Sequence, residues 1–244
     1  MKLNEFYTAN DVVDAVYLSR FVYENKDKIV EKFDDLELYS FHDIKDTEFA
    51  CYKQEGTNHF FIAFRGSSSL NDWIADTKFK SDYFFNTKAH RGFIKHYNKG
   101  QSQLKELVSK IKDYDNNTTV FFIGHSLGGA LANLAYYEFC LKAEEYGMNG
   151  IEFRLITFGC PKVFRRKYIS NIHSMFFNNT IRITNGDDLV TNLPPDILFL
   201  KNSEYIHFGQ HIGIGEFDYR GFLKEHRMPK YVKYVEQVIN KEVL

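Results

Sequence analysis

Val120-Phe121-Phe122-Ile123-Gly124-His125-Ser126-Leu127-Gly128-Gly129-Ala130 is the stretch whose reading decides the fold. Four apolar strand-forming residues run into Gly-His-Ser-Leu-Gly, and Leu131, Leu134, Ala135 and Phe139 then recur with helical spacing. Strand, sharp turn and helix follow within a few residues. A serine on such a strained elbow brings the residues two before and two after it into contact, which leaves no room for a Cβ at Gly124 or Gly128. Ser126 is therefore a candidate nucleophile.

Downstream of the elbow, residues 153–158 form an apolar run that ends in Gly159-Cys160-Pro161, and residues 181–184 form another that ends in Asn185-Gly186-Asp187-Asp188. Residues 205–208 offer an additional strand. Tyr231, Tyr234, Val235, Val238 and Ile239 give the apolar stripe of a terminal helix, with Pro229 in its first turn. Upstream, Leu104, Leu107, Val108 and Ile111 define one face of a helix, closed by a polar run over 113–117. Residues 36–41, 48–53 and 59–64 read as short strands of an antiparallel meander. Before them, Thr8 or Asn10 can cap an outer helix with Val12, Val13, Val16, Leu18, Phe21 and Val22 on its apolar face. The expectation is an α/β fold over 1–244 as a single domain, a mostly parallel sheet with helices on both faces.

Composition narrows the functions. Hydrophobic residues at 44% and charged residues at 26% are globular values, and the 17% of aromatics suits a site for apolar ligands. A net charge of -1 leaves no basic surplus for nucleic acid. Cys51, Cys140 and Cys160 lack metal or disulfide spacing, so neither a metal nor a cofactor is called for. No apolar run has the length of a signal peptide or a membrane span, which favours a cytoplasmic protein, with a mature secreted form as the alternative.

A serine hydroxyl becomes nucleophilic when an imidazole takes its proton, and that imidazole needs a carboxylate to fix its tautomer. Active groups collect at the carboxyl ends of parallel strands, where Asp187 and Asp188 stand. The chain order Ser, Asp, His leaves His207, His211 and His226 as bases. His226 is favoured, because the terminal helix directly behind it anchors its backbone. His125 reads as a packing residue. The N–H of Leu127, at the positive end of the helix after Ser126, can meet a developing oxyanion.

At this point the sequence resembles the class 3 lipases of filamentous-fungal type, a branch of the α/β-hydrolases. The matching segments are Phe64-Arg65-Gly66-Ser67 with Trp73-Ile74-Ala75-Asp76, His90-Arg91-Gly92-Phe93, the elbow, Thr157-Phe158-Gly159-Cys160-Pro161-Lys162-Val163, Asp188-Leu189-Val190 with Leu193-Pro194-Pro195, and His226-Arg227-Met228 before Tyr231. The resemblance implies an α/β-hydrolase fold, Asp188 rather than Asp187 as the acid, His226 as the base, and Ser67 beside Leu127 in the oxyanion hole. It also implies an interfacial lid over about 69–85 that carries Leu70, Trp73 and Ile74. The implied substrates are acyl glycerols or related lipid esters, reached through transient contact with a membrane or lipid-droplet surface. Phospholipase, acyltransferase or thioesterase activity and a non-catalytic lipid-binding domain are the alternatives. Three positions depart from the family pattern: Thr191 replaces a proline, and Phe164-Arg165 replaces Gly-Asn.

Overall fold

A computed structural model describes residues 3–24, 32–44, 47–66, 80–114, 117–169, 178–195, 204–216 and 222–240. Its strands are β1 (Leu36–Ile44), β2 (Thr47–Gln54), β3 (His59–Phe64), β4 (Ser81–Phe84), β5 (Thr87–His90), β6 (Thr118–His125), β7 (Ile151–Phe158), β8 (Phe164–Arg165), β9 (Thr180–Asn185), β10 (Tyr205–Ile206) and β11 (Gln210–Ile214). The helices are α1 (Ala9–Phe21), α2 (Arg91–Lys112), α3 (Leu127–Lys142), the single turns α4 (Arg166–Ile169) and α5 (Phe222–Glu225), and α6 (Met228–Asn240).

The main sheet has the order β1-β2-β3-β6-β7-β9-β11. Its first three strands pair antiparallel, and every pair from β3 onward is parallel. β6 is buried along its whole length, which explains its unbroken apolar run. The strand's two-residue period sends Phe122 to one side and Phe121 and Ile123 to the other. Phe122 joins Leu107, Val108, Leu131 and Leu134 in a core that includes residues of α2 and α3. Phe121 and Ile123 join Val12, Val16, Tyr231 and Val235 in the core that includes residues of α1 and α6. Each such side chain contributes about 1.5–3 kcal/mol by leaving water.

Three features differ from the sequence expectation. α1 starts on Thr8, whose hydroxyl and Asp11 form a reciprocal cap, but it is not an outer helix: Asp11, Asp14, Tyr17 and Ser19 are buried too, and α1 packs on α6 as well as on the sheet. α2 begins at Arg91, so Phe93, Ile94 and Tyr97 extend its buried face well before Leu104. A second sheet of order β10-β8-β5-β4 lies beside the first, and residues 205–206 belong to it rather than to the main sheet. Residues 81–84 of the expected lid segment lie in this sheet, and residues 67–79 lie outside the described residues. Ser81–Phe84 pairs with Thr87–His90, and Phe84 is buried with its ring centroid 5.7 Å from Tyr97 and 6.1 Å from Tyr137.

The buried start of α1 gives a pH-dependent test of stability. Gln54 Nε2 donates to both Asp14 (3.2 Å) and Asp35 (3.1 Å). Burial, and then the charges of Asp35 and Asp11, raise the Asp14 carboxyl to about 7. A carboxyl raised on folding binds its proton more tightly in the native state, so its contribution is complete below about pH 4 and is lost as pH climbs to about 7. Asp14→Asn is therefore expected to match the parent at pH 4 and to exceed it by about 1–3 kcal/mol at pH 8. Equal differences in melting at the two pH values would overturn this.

Candidate active site

The elbow is strained as the sequence requires. Ser126 has φ 59° and ψ -126°, a region that costs a non-glycine residue about 1–3 kcal/mol. A Cβ on Gly124 would fall 2.4 Å from the Gly128 carbonyl carbon. Gly128 has a further reason to be glycine: its Cβ would fall 2.1 Å from the Phe64 carbonyl oxygen, so the end of β3 crowds it as well. The Ser126 N–H donates to the Phe158 carbonyl (3.0 Å), which ties the elbow to the end of β7. Leu127 is the first residue of α3, so its N–H has no acceptor within the helix and lies at the helix's positive end.

Asp188 follows β9 and is 1% exposed. Its carboxylate accepts from the Val190 N–H (3.0 Å), from Tyr231 Oη (2.5 Å) and from His226 Nδ1, which lies 2.9 and 2.8 Å from the two oxygens. Tyr231 Oη also accepts from the Asn185 N–H (3.2 Å), and burial, then the Asp188 charge, hold its hydroxyl well above the usual range, so it remains a donor. Gly159, at φ 55°, leaves the space in which these groups meet. A Cβ there would fall 2.8 Å from Asp188 Oδ2, 2.9 Å from Tyr231 Oη and 3.1 Å from His226 Cε1.

The structure chooses among the alternatives that the sequence left open. Asp188, not Asp187, holds His226. His207 Nε2 donates to the Thr191 carbonyl (2.7 Å), and burial, then Arg182, push its imidazole down to about 3. His211 Nε2 pairs with Thr184 Oγ1 (2.8 Å). His226 Nε2 is buried and carries no hydrogen bond, so the Ser126 hydroxyl does not engage it in this conformation. Ser67, Leu70, Trp73 and Ile74 lie outside the described residues. Tyr231 was read only as a stripe residue. A buried tyrosine hydroxyl must find a partner, and that was the one signal of its part in the site. Among the described residues no group of three or more His, Cys, Asp or Glu is placed to hold a metal ion.

A family profile described as Lipase (class 3) matches residues 61–198, more than half of the chain. The chain belongs to the class 3 lipase family. Its relatives include a lipase of Rhizomucor miehei, 33% identical over 156 residues that cover 62% of this chain and 42% of the relative. Another is secreted mono- and diacylglycerol lipase 1 of Fusarium solani, 30% identical over 145 residues that cover 58% of this chain and 41% of the relative. The chain thus spans less than half the length of these two relatives. Among solved structures, a triacylglycerol lipase whose catalytic centre is formed by a serine-protease triad superposes with a TM-score of 0.70 at 26% identity, over 84% of this chain and 79% of that one. In this class 3 lipase chain the profile match contains Ser126 and Asp188 but stops before His226 and Tyr231. The hydrogen bonds to Asp188 bring those last two into the same site.

Proposed function

We propose that the chain is a serine ester hydrolase acting on acyl glycerols or related lipid esters through an acyl-enzyme on Ser126. The observation that carries this reading is the buried Asp188 carboxylate on His226 Nδ1, on the same side of the sheet's end as the elbow. With its proton on Nδ1, the imidazole presents a lone pair at Nε2. Nε2 takes the Ser126 proton as Oγ adds to the ester carbonyl, and Asp188 balances the imidazolium that forms. The new oxyanion meets the N–H of Leu127 and, by the family resemblance, Ser67. Each such donor is worth about 10²–10³-fold in turnover. Nε2–H then protonates the leaving alcohol, and water activated by the same nitrogen releases the acid. No step needs a cofactor.

The R. miehei and F. solani relatives are named lipases, which supports a lipid ester as substrate. The F. solani relative is named as secreted, which fits an exported form better than a cytoplasmic one. No helix of the described residues is long and apolar enough to cross a membrane. With an interfacial lid over about 69–85, Trp73, the single tryptophan, shifts its emission to the blue when vesicles are added. An unchanged spectrum, with no rise in rate above the substrate's solubility limit, would count against a lid.

The test of the main reading is a fluorophosphonate probe followed by a substrate panel. The expected result is a single adduct on Ser126 and faster turnover of acyl glycerols than of phospholipids or acyl thioesters. A protein that neither labels nor hydrolyses any of them is not an ester hydrolase.

A further inference from the structure

His125, the residue before the nucleophile, is buried at 5% exposure, and the mechanism above does not use it. Its Nε2 lies 2.7 Å from the carbonyl oxygen of His226. A carbonyl only accepts, so Nε2 carries the proton and Nδ1 the lone pair. Nδ1 faces Tyr23 Oη at 3.4 Å, and the same hydroxyl is 3.3 Å from the His125 carbonyl. Gly66 packs directly against Tyr23 Oη, and burial holds that hydroxyl above the usual phenol range, so it stays protonated. The fit is close, since a Cβ on Gly66 would fall 2.0 Å from this oxygen. The rings of His125 and His226 lie 4.5 Å apart. Hydrogen bonds thus join Tyr23, the residue before Ser126 and the backbone of His226, and Tyr23 packs against the residue before Ser67.

We propose that His125 is a positioning residue: by donating from Nε2 to the His226 carbonyl it sets the base against the elbow, and through Tyr23 it registers both with the end of β3. The proposal rests on the hydrolase reading. It complements the line from Tyr231 through Asp188, which holds the imidazole of His226 but not its main chain. Burial, and then the neighbouring charge of His226, keep the His125 ring well below the usual imidazole range. A neutral neighbour is what the site requires, because a second positive ring would oppose the imidazolium that His226 becomes. His125 therefore does more than pack.

Two amides that differ by one methylene test the hydrogen bond. In His125→Gln the side-chain nitrogen reaches the position of Nε2; in His125→Asn it does not. The Gln variant is expected to keep kcat within about threefold and the Asn variant to lose about 10–100-fold, with KM within about twofold in both. The rate of fluorophosphonate labelling should fall with kcat. Equal kcat in the two variants, or a loss confined to KM, would overturn the proposal. Tyr23→Phe, which removes the hydroxyl and keeps the ring, should lower kcat about 3–10-fold, and an unchanged kcat would remove the link to β3. A wild-type protein inert to probe and ester would overturn the hydrolase reading before any variant is made. An active wild type with equivalent Gln and Asn variants would overturn the role of His125 alone.

Discussion

Ser126→Ala is expected to give a folded protein whose ester turnover is lower by about 10⁵–10⁶-fold, the size of loss that follows removal of a triad nucleophile. The backbone argument says why folding should survive. Serine and alanine both carry a Cβ, so the strain at φ 59° is common to the two, and the N–H to Phe158 and the carbonyl accepting from the Ala130 N–H are main-chain groups that the change leaves in place. Circular dichroism and thermal melting should match the parent, and kcat on a soluble short-chain ester should fall to what the oxyanion hole and binding alone supply, about 10³–10⁴-fold above water. Retention of more than about one part in a hundred of the parent kcat would exclude Ser126 as the attacking group.

Asp188→Asn should cost about 10⁴-fold in kcat while leaving the shape of the site intact. The carboxylate accepts from three donors, His226 Nδ1, Tyr231 Oη and the Val190 N–H. An amide offers one acceptor oxygen and an NH₂ that must face one of those donors. If the NH₂ meets Nδ1, the imidazole protonates at Nε2 instead and has no lone pair for Ser126. If it meets Tyr231 or Val190, a buried donor is left without an acceptor, at about 1–3 kcal/mol. The variant should therefore melt lower as well as turn over slowly. Asp187→Asn, one position away, should do neither. Equal activities of the two variants would show that the acid is misassigned.

Much of this site was readable because its causes are local. The elbow is a steric requirement written within five residues, and the buried central strand is an unbroken apolar run. The identity of the acid was not local. Two adjacent aspartates follow β9; the residues alone leave both open, the family resemblance points to Asp188, and the hydrogen bonds from His226 Nδ1 go to Asp188. The small sheet escaped because its strands are two to four residues long, too short to show a period of two. β11 escaped because Gln210, His211 and Gly213 break its apolar pattern, although it closes the parallel edge beside β9. Gly92 and Gly100 hid the first turns of α2 in the same way. Gly128 shows a correct residue with an incomplete cause, since the end of β3 crowds it as well.

The base enters the chain late. His226 stands 101 positions after His125, so a ribosome that has delivered the elbow must still add that stretch before the imidazole exists. At about 5–20 residues per second this leaves some 5–20 s in which the growing polypeptide carries its serine but no proton acceptor for it. On the proposed mechanism, Ser126 has no base to activate it throughout that interval.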